Sequence, residues 1–129
     1  MTRWYVDTAA ALKLIVEEVE SEALAASIAD AQPQLVGTLL LETELRRAAA
    51  REAALTQTHV TRLLATIDLF ELPPSLYREA GLLAGGSLRS LDALHLAAAV
   101  RLGVDAVLTY DRRMADAAHE LGIPVIAPG

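Results

Sequence analysis

Four acidic side chains occupy positions where an ordinary surface carboxylate is not expected. They are Asp7, Glu44, Asp92 and Asp111. Asp7 and Asp111 each follow a short apolar segment typical of a buried β-strand, and open α/β sheets bind ligands beyond the carboxyl ends of their strands. An Asp in this position is also a common helix cap, so neither residue indicates chemistry by itself.

Glu44 departs furthest from a surface pattern. At about 100° per residue, it falls inside the apolar arc of its predicted helix. That arc is formed by Leu40, Leu41, Leu45 and Ala48. Glu42 lies on the opposite side with Arg46, where a surface carboxylate belongs. A carboxylate that points into a core costs several kcal/mol unless it is paired or binds a metal. The alternatives to a functional role are that the Glu44 side chain snorkels to the surface or forms an ion pair with a nearby Arg.

Asp92 lies in a predicted helix that is apolar almost all round, from Ser90 to Leu102. After Ser90, which we expect to cap the helix, the only other polar residues are His95 and Arg101. A first-turn Asp stabilises the helix dipole, and this is the structural alternative for Asp92. His95 lies one turn further on the same side. We expect it to be a hydrogen-bonded core histidine rather than a metal ligand.

Four carboxylates that converge at one end of a sheet would need protonation or a cation. Two like charges about 4 Å apart repel by about 4 kcal/mol at an effective dielectric of about 20. Mg²⁺ prefers carboxylate oxygens and retains several waters. Zinc is the weaker candidate because the chain has no cysteine and His95 is the only imidazole nearby. Such a metal activates a bound water and neutralises charge that develops on a phosphodiester.

The elements that position these acids alternate between short apolar strands and helices. We predict strands over residues 3–6, 34–37, 69–72, 106–109 and 124–126. We predict helices over residues 8–18, 21–31, 39–54, 58–67, 75–83, 90–102 and 112–121, with caps at Ser21, Thr38 and Ser90. This order predicts a three-layer α/β/α fold, in which a short parallel sheet is flanked by helices in a Rossmann-like manner. We expect one domain over residues 1–129.

Composition restricts the classes further. The 129 residues are 53% hydrophobic and 22% charged, which excludes a disordered chain. A net charge of −6 argues at first against a nucleic-acid partner, and 4% aromatic residues argue against base-stacking platforms. The acidic cluster at residues 17–22 is typical of a solvated turn. With no cysteine, no membrane span and no signal peptide core, we expect a cytoplasmic protein.

The segments around the four acids resemble those of PIN-domain nucleases, and more closely the VapC toxins of bacterial type II toxin–antitoxin systems. The first runs Tyr-Val-Asp-Thr-Ala-Ala from Tyr5, and the second surrounds Glu44 in Leu-Glu-Thr-Glu-Leu-Arg-Arg-Ala. The most specific is Ser-Leu-Asp-Ala-Leu-His-Leu-Ala from Ser90, followed by Thr-Tyr-Asp-Arg-Arg from Thr109. The resemblance covers essentially the whole chain.

This resemblance implies an Mg²⁺-dependent endoribonuclease, with Mn²⁺ as a substitute, that acts on structured RNA. It implies that the catalytic metal ligands are Asp7, Glu44, Asp92 and Asp111, and that Thr8 and Thr109 support the metal site. It further implies a homodimer and a VapB-type antitoxin that covers the active site. Ala9 departs from the many relatives with a second hydroxyl residue there, and Asp116 is read as a surface residue.

Ten of the eleven basic residues are arginines, which suits bidentate contacts with phosphate. The candidates near the acids are Arg47, Arg51, Arg89, Arg112 and Arg113; ordinary surface charge or pairing with acids is the alternative for each.

Rival enzymes fit poorly. A phospho-acceptor receiver domain needs a Lys near its last strands, and the only one is Lys13. A haloacid-dehalogenase-type phosphatase needs an Asp where Ala9 stands. A PIN-fold binding or regulatory module without catalysis remains the alternative.

Overall fold

Five parallel strands form one sheet in the computed structural model, which describes all 129 residues. The strands are β1 (Arg3–Val6), β2 (Gln34–Thr38), β3 (Asp68–Phe70), β4 (Ala106–Leu108) and β5 (Val125–Ile126). Their order across the sheet is β3-β2-β1-β4-β5, and every neighbouring pair is parallel. The predicted parallel sheet is therefore confirmed.

Seven helices cover the two faces of this sheet. They are α1 (Thr8–Leu12), α2 (Ser21–Ala31), α3 (Leu39–Arg51), α4 (Gln57–Leu64), α5 (Pro74–Gly81), α6 (Ser90–Leu102) and α7 (Arg112–Glu120). Helices α1 to α4 pack on one face and α5 to α7 on the other, which gives the predicted α/β/α layers. None of the seven combines the length and the apolar character that crossing a membrane would take.

The strands are apolar on both sides because both sides are covered. In β1, Trp4 and Val6 belong to the core under α1 to α4, whereas Tyr5 between them belongs to the core under α5 to α7. Leu35 and Val36 divide in the same way in β2. Buried parallel strands thus read as continuous apolar runs, which is the pattern that the sequence shows.

The order in which strands are added to the sheet changes side between β1 and β4. β2 and β3 lie on one side of β1, whereas β4 and β5 lie on the other. Asp7 directly follows β1, and Asp111 follows β4 by three residues. In an open α/β sheet this switch point leaves a crevice beyond the carboxyl ends of the strands, so the topology brings these two acids to the place where ligands bind.

Helix α1 is shorter than predicted. It ends at Leu12 instead of reaching residue 18, and Val19 is 96% exposed rather than packed on the core. Three contacts favour an irregular turn after Leu12. Lys13 forms ion pairs with Glu18 and Glu20, and the hydroxyl of Ser21 accepts from the amide of Glu18. Two acids of the cluster at residues 17–22 are therefore paired.

The predicted caps also need correction. Ser21 and Ser90 already have helical backbones, so Glu20 and Arg89 take the capping positions instead. Thr38 does precede α3, but its side chain makes no capping bond, and its buried hydroxyl has no hydrogen-bond partner. The predicted bounds of α2 and α6 and the predicted starts of α3 and α7 match the structure, and the other helix ends outside α1 differ by one to three residues. Contacts at the helix ends, rather than periodicity, decide these differences.

Candidate active site

Asp7 is a buried carboxylate with both oxygens in use. It caps α1, and its Oδ1 accepts a hydrogen bond of 2.8 Å from the amide of Ala10. Its Oδ2 accepts from the hydroxyl of Thr109, directly after β4. The side chain is 5% exposed, and this burial raises the pKa of Asp7 even though the two hydrogen bonds act in the opposite direction. The capping alternative is therefore correct, but capping does not account for the second contact.

Glu44 is held by donors from two other helices. Its Oε1 accepts hydrogen bonds of 2.8 Å from the hydroxyl of Thr8 and 2.6 Å from Nε2 of His95. Burial would raise the pKa of Glu44, but these contacts outweigh burial and hold the pKa below its usual value. Glu44 forms no ion pair with an arginine, so that alternative is wrong. Glu42 pairs with Arg46 at the surface, as its helical position indicates.

His95 connects Glu44 with the core of the sheet. Its Nδ1 lies 2.7 Å from the hydroxyl of Tyr5, and the two rings meet edge to face with centroids 5.7 Å apart. Tyr5 is fully buried and His95 is 2% exposed. His95 is therefore the hydrogen-bonded core histidine that we expected, but it also holds an acid of the site.

Asp92 and Asp111 are far less enclosed. Asp92 lies in the first turn of α6 and accepts no hydrogen bond from the protein. Burial and then the negative charge of Asp111 raise the pKa of Asp92. Asp111 is exposed and caps α7, with Oδ1 accepting a bond of 3.0 Å from the amide of Met114. The amide of Asp111 donates to the Thr109 hydroxyl, which in turn donates to Asp7.

Asp92 is the electrostatic centre of the four acids. It feels the charges of Asp111 and Glu44, and its own charge raises the pKa of Asp7. No lysine or arginine forms an ion pair with any of these four side chains. Arg89 lowers the pKa of Asp92 only through its charge, so the oxygens of these acids remain able to bind a cation.

The donor set fits Mg²⁺ better than a metal with a closed protein shell. No three His, Cys, Asp or Glu side chains already surround one point as ligands of a single ion. Mg²⁺ keeps several of its waters and binds through one or two carboxylates, so it does not need such a shell. Oxygens without a protein hydrogen bond remain on Glu44, Asp92 and Asp111.

The predicted phosphate-contacting arginines are free to meet a ligand. All five are exposed, and none forms an ion pair or a side-chain hydrogen bond within the chain; they are Arg47, Arg51, Arg89, Arg112 and Arg113. By contrast, Arg46 and Arg101 are paired with Glu42 and Glu79. The alternative of intramolecular pairing is therefore wrong for these five side chains.

Comparison with known proteins decides the family. A family model described as PIN domain matches residues 4–120. Ribonuclease VapC46 of Mycobacterium tuberculosis is 42% identical over 130 residues, which cover 99% of each chain. The chain belongs to the VapC family of PIN-domain proteins. Ribonuclease VapC35 of the same organism is 38% identical over 97% of this chain and 96% of its own.

Solved structures agree on the fold of this VapC-family chain. VapBC2 from Rickettsia felis, crystallised with a DNA fragment from its promoter, matches with a TM-score of 0.75 at 9% identity. That match covers 99% of this chain and all of the other. VapC20 of Mycobacterium tuberculosis, described as a sarcin–ricin loop cleaving toxin, matches with a TM-score of 0.73 at 14% identity over 88% of this chain and 94% of its own.

Sequence reasoning did not find one contributor to this VapC-family site. Tyr5 was read only as a strand residue, yet its hydroxyl is bound to His95. The one available signal was the position of a hydroxyl-bearing ring inside an otherwise apolar buried strand, since a buried tyrosine hydroxyl usually has a partner. Asp116 is exposed and makes no side-chain contact with the site, which agrees with its reading as a surface residue.

Proposed function

We propose that this VapC-family chain is an Mg²⁺-dependent endoribonuclease and the toxin of a type II toxin–antitoxin pair. One observation carries the proposal: near the switch point of the sheet the charge of Asp92 is repelled by Asp111 and Glu44 and in turn raises the pKa of Asp7, and no lysine or arginine forms an ion pair with these four acids. Retaining such a group is costly for a fold unless a cation compensates it. The names of its relatives, which are ribonucleases, support the same reaction class.

The residues proposed to hold the metal and carry catalysis are Asp7, Glu44, Asp92 and Asp111. Mg²⁺ is the proposed ion, and Mn²⁺ is expected to replace it because it favours the same oxygen ligands. A bound ion of this class supplies an activated water and neutralises charge on the scissile phosphodiester. The chain's own part is to orient the ligands: Thr109 holds Asp7, and Thr8 holds Glu44.

Structured RNA is the proposed substrate, and the exposed arginines support it. Arg89 precedes α6 and Arg112 follows Asp111, so both flank the open acids; the charge of Arg89 also acts on Asp92. The net charge of −6 does not oppose this assignment, because four of the acids are proposed to be covered by metal and Glu18 and Glu20 pair with Lys13. Cellular RNA is found in the cytoplasm, and we propose that the protein acts there.

A VapB-type antitoxin is the proposed partner, and a homodimer is the proposed assembly of this 129-residue, single-domain chain. The antitoxin is supported by the structural relatives from Rickettsia felis and Klebsiella pneumoniae, which are described as toxin–antitoxin assemblies. Exposed apolar side chains support contacts with other chains, among them Leu39, Tyr77, Leu82 and Leu91. Light scattering on the purified chain, alone and with antitoxin, tests both assemblies.

Cleavage of RNA by antitoxin-free protein tests the proposed activity. We expect metal-dependent cleavage by the wild type, loss of cleavage in EDTA with recovery in excess Mg²⁺, and near-inactivity of Asp92→Asn. Asp30→Asn is the matched control, because Asp30 is an exposed acid at the end of α2 without side-chain contacts. If the wild type, Asp92→Asn and Asp30→Asn are equally inactive on total cellular RNA, the chain is a PIN-fold binding or regulatory module instead.

A further inference from the structure

The hydrogen bonds that hold Glu44 all fall on one of its two oxygens. Oε1 accepts from Thr8 at 2.8 Å and from His95 at 2.6 Å, whereas Oε2 accepts nothing from the protein. The side chain is 23% exposed, so it is not fully enclosed by the core. A carboxylate bound through only one oxygen has a fixed orientation and still keeps lone pairs for another partner.

The contact with Glu44 decides which nitrogen of His95 acts as the donor. A carboxylate only accepts, so Nε2 of His95 must carry the hydrogen that faces Glu44. The other ring nitrogen, Nδ1, lies 2.7 Å from the hydroxyl of Tyr5, so both nitrogens of the ring are hydrogen-bonded.

Tyr5 and His95 come from rigid parts of the molecule. Tyr5 lies in the central strand β1 and is fully buried, and His95 lies in α6 at 2% exposure. Edge-to-face packing at 67° between the two rings limits rotation of the imidazole. Because α3 and α6 cover opposite faces of the sheet, the His95–Glu44 bond also ties the two helical layers together.

We propose that Tyr5 and His95 are positioning residues that hold Glu44 by Oε1 and so direct Oε2 to the divalent cation. The inference rests on the proposed function and adds to it a role for two residues that touch neither metal nor RNA. Orienting groups behind a metal ligand change metal affinity by about 10-fold to 100-fold. Tyr5 acts one bond further away, so its effect is expected to be the smaller of the two.

Mn²⁺ binding without RNA tests the proposal directly. By calorimetry, we expect His95→Leu to weaken Mn²⁺ binding by about 10-fold to 100-fold. His95→Gln, whose amide can still donate near the position of Nε2, should retain most of the affinity, and Tyr5→Phe should lose less than His95→Leu. Saturating Mn²⁺ should restore most of the cleavage rate of His95→Leu, because the ligand Glu44 is still present.

A double variant separates positioning from a merely structural role. His95→Leu leaves the Tyr5 hydroxyl buried without a partner, which destabilises the fold by itself. In Tyr5→Phe/His95→Leu both polar partners are replaced by apolar groups, so much of the metal-free melting temperature should return. Weak Mn²⁺ binding that persists in this stable double variant supports positioning, whereas affinity that recovers together with stability overturns it.

The remaining outcomes distinguish the two proposals. A wild type that neither binds Mn²⁺ nor cuts RNA overturns the proposed function and this inference with it. If the wild type does both and His95→Leu binds Mn²⁺ with unchanged affinity, only the positioning role is overturned. Should His95→Leu fail to fold, the nitrogen-15 spectrum of the wild type decides: a His95 that carries a hydrogen on Nε2 supports the arrangement, and one without a hydrogen on Nε2 overturns it.

Discussion

The four acids form two halves that differ in how much the protein holds them. The fixed half, Asp7 and Glu44, is bound by four hydrogen bonds from Ala10, Thr109, Thr8 and His95. The open half, Asp92 and Asp111, accepts a single hydrogen bond, a helix cap from Met114. Asp7 is 5% exposed, whereas Asp111 is exposed.

In the proposed metal site, this difference would separate two tasks. The fixed half is oriented by the fold before any ion arrives, which lowers the cost of organising ligands on binding. The open half keeps its lone pairs and its repulsion, since the charge of Asp111 raises the pKa of Asp92. In the proposed metal site, repulsion within the open half would favour binding of a cation, and the fixed half would provide ligands that are already oriented.

Asp7→Asn removes a charge from the fixed half and should have the largest effect. Loss of a ligand should exceed the loss of an orienting group, so we expect cleavage to fall by more than about 100-fold. Stability without metal should change little, because Asn caps helices about as well as Asp and can keep the bond to Ala10. Single-turnover cleavage at saturating Mg²⁺ measures this, with Asp30→Asn as control; activity within a few-fold of the wild type would contradict it.

Asp92→Asn tests whether the negative charge of the open half is needed for cation binding. At a Mg²⁺ concentration 100 times its Kd, binding should stabilise the wild type by about 2.7 kcal/mol, or roughly 10 °C in Tm for a chain of this size. Asp92→Asn should lose most of this shift, while its metal-free Tm should equal or exceed that of the wild type, since a repelled charge is gone. Calorimetry measures the change in Tm that Mg²⁺ causes in each protein. Equal changes in the two proteins would exclude Asp92 from the metal site.

Thr8→Val weakens the fixed half without removing a ligand. The substitution has nearly the same shape but removes the hydroxyl that donates to Glu44 at 2.8 Å. We expect the Mg²⁺ concentration for half-maximal cleavage to rise by about 10-fold, with a smaller change in the rate at saturation. Thr8→Ser keeps the donor and should behave like the wild type. A Thr8→Val enzyme with unchanged Mg²⁺ dependence would show that His95 alone suffices to hold Glu44.

The fold could be predicted because its strands are buried on both faces. Segments such as 3–6 and 106–108 are short apolar runs between helices, and that pattern leaves few arrangements other than a covered parallel sheet. The end of α1 could not be predicted, because the ion pairs of Lys13 and the hydrogen bonds of Ser21 decide it. Periodicity carries no information about such contacts.

Glu44 could be singled out as a candidate because it violates the pattern of its own helix, whereas Asp7, Asp92 and Asp111 occupy ordinary cap or first-turn positions and became candidates only together. Glu44 stands out inside an apolar arc, which requires only its own helix to be known. Its partner His95 lies 51 residues away, and the Tyr5 that completes the contact lies 90 residues from His95. Each partner obeys its own local pattern as a core residue, so only the packed structure reveals the connection.

The pH dependence of stability is the smallest expected effect and contrasts Asp92 of the open half with Glu44 of the fixed half, whereas Asp7 has a raised pKa like Asp92. The pKa of Asp92 is raised, so its contribution to stability is present at low pH and is lost as the pH rises from about 4 through its folded-state pKa. The pKa of Glu44 is lowered, so its contribution has the opposite sign and is lost as the pH falls. Without metal, the Tm of the wild type should therefore fall relative to that of Asp92→Asn between about pH 4 and neutrality.

Saturating Mg²⁺ should reverse this dependence, because metal ligands must be deprotonated to bind and the stabilisation by Mg²⁺ grows with pH. Melting curves of both proteins, with and without Mg²⁺ at constant ionic strength, measure the two slopes. Asp92 is only partly buried, so the metal-free difference should also shrink as salt screens the charge of Asp111. If the metal-free Tm of the wild type instead rose with pH relative to that of Asp92→Asn, the protein itself would compensate the charges of the open half. The division between a fixed and an open half would then no longer hold.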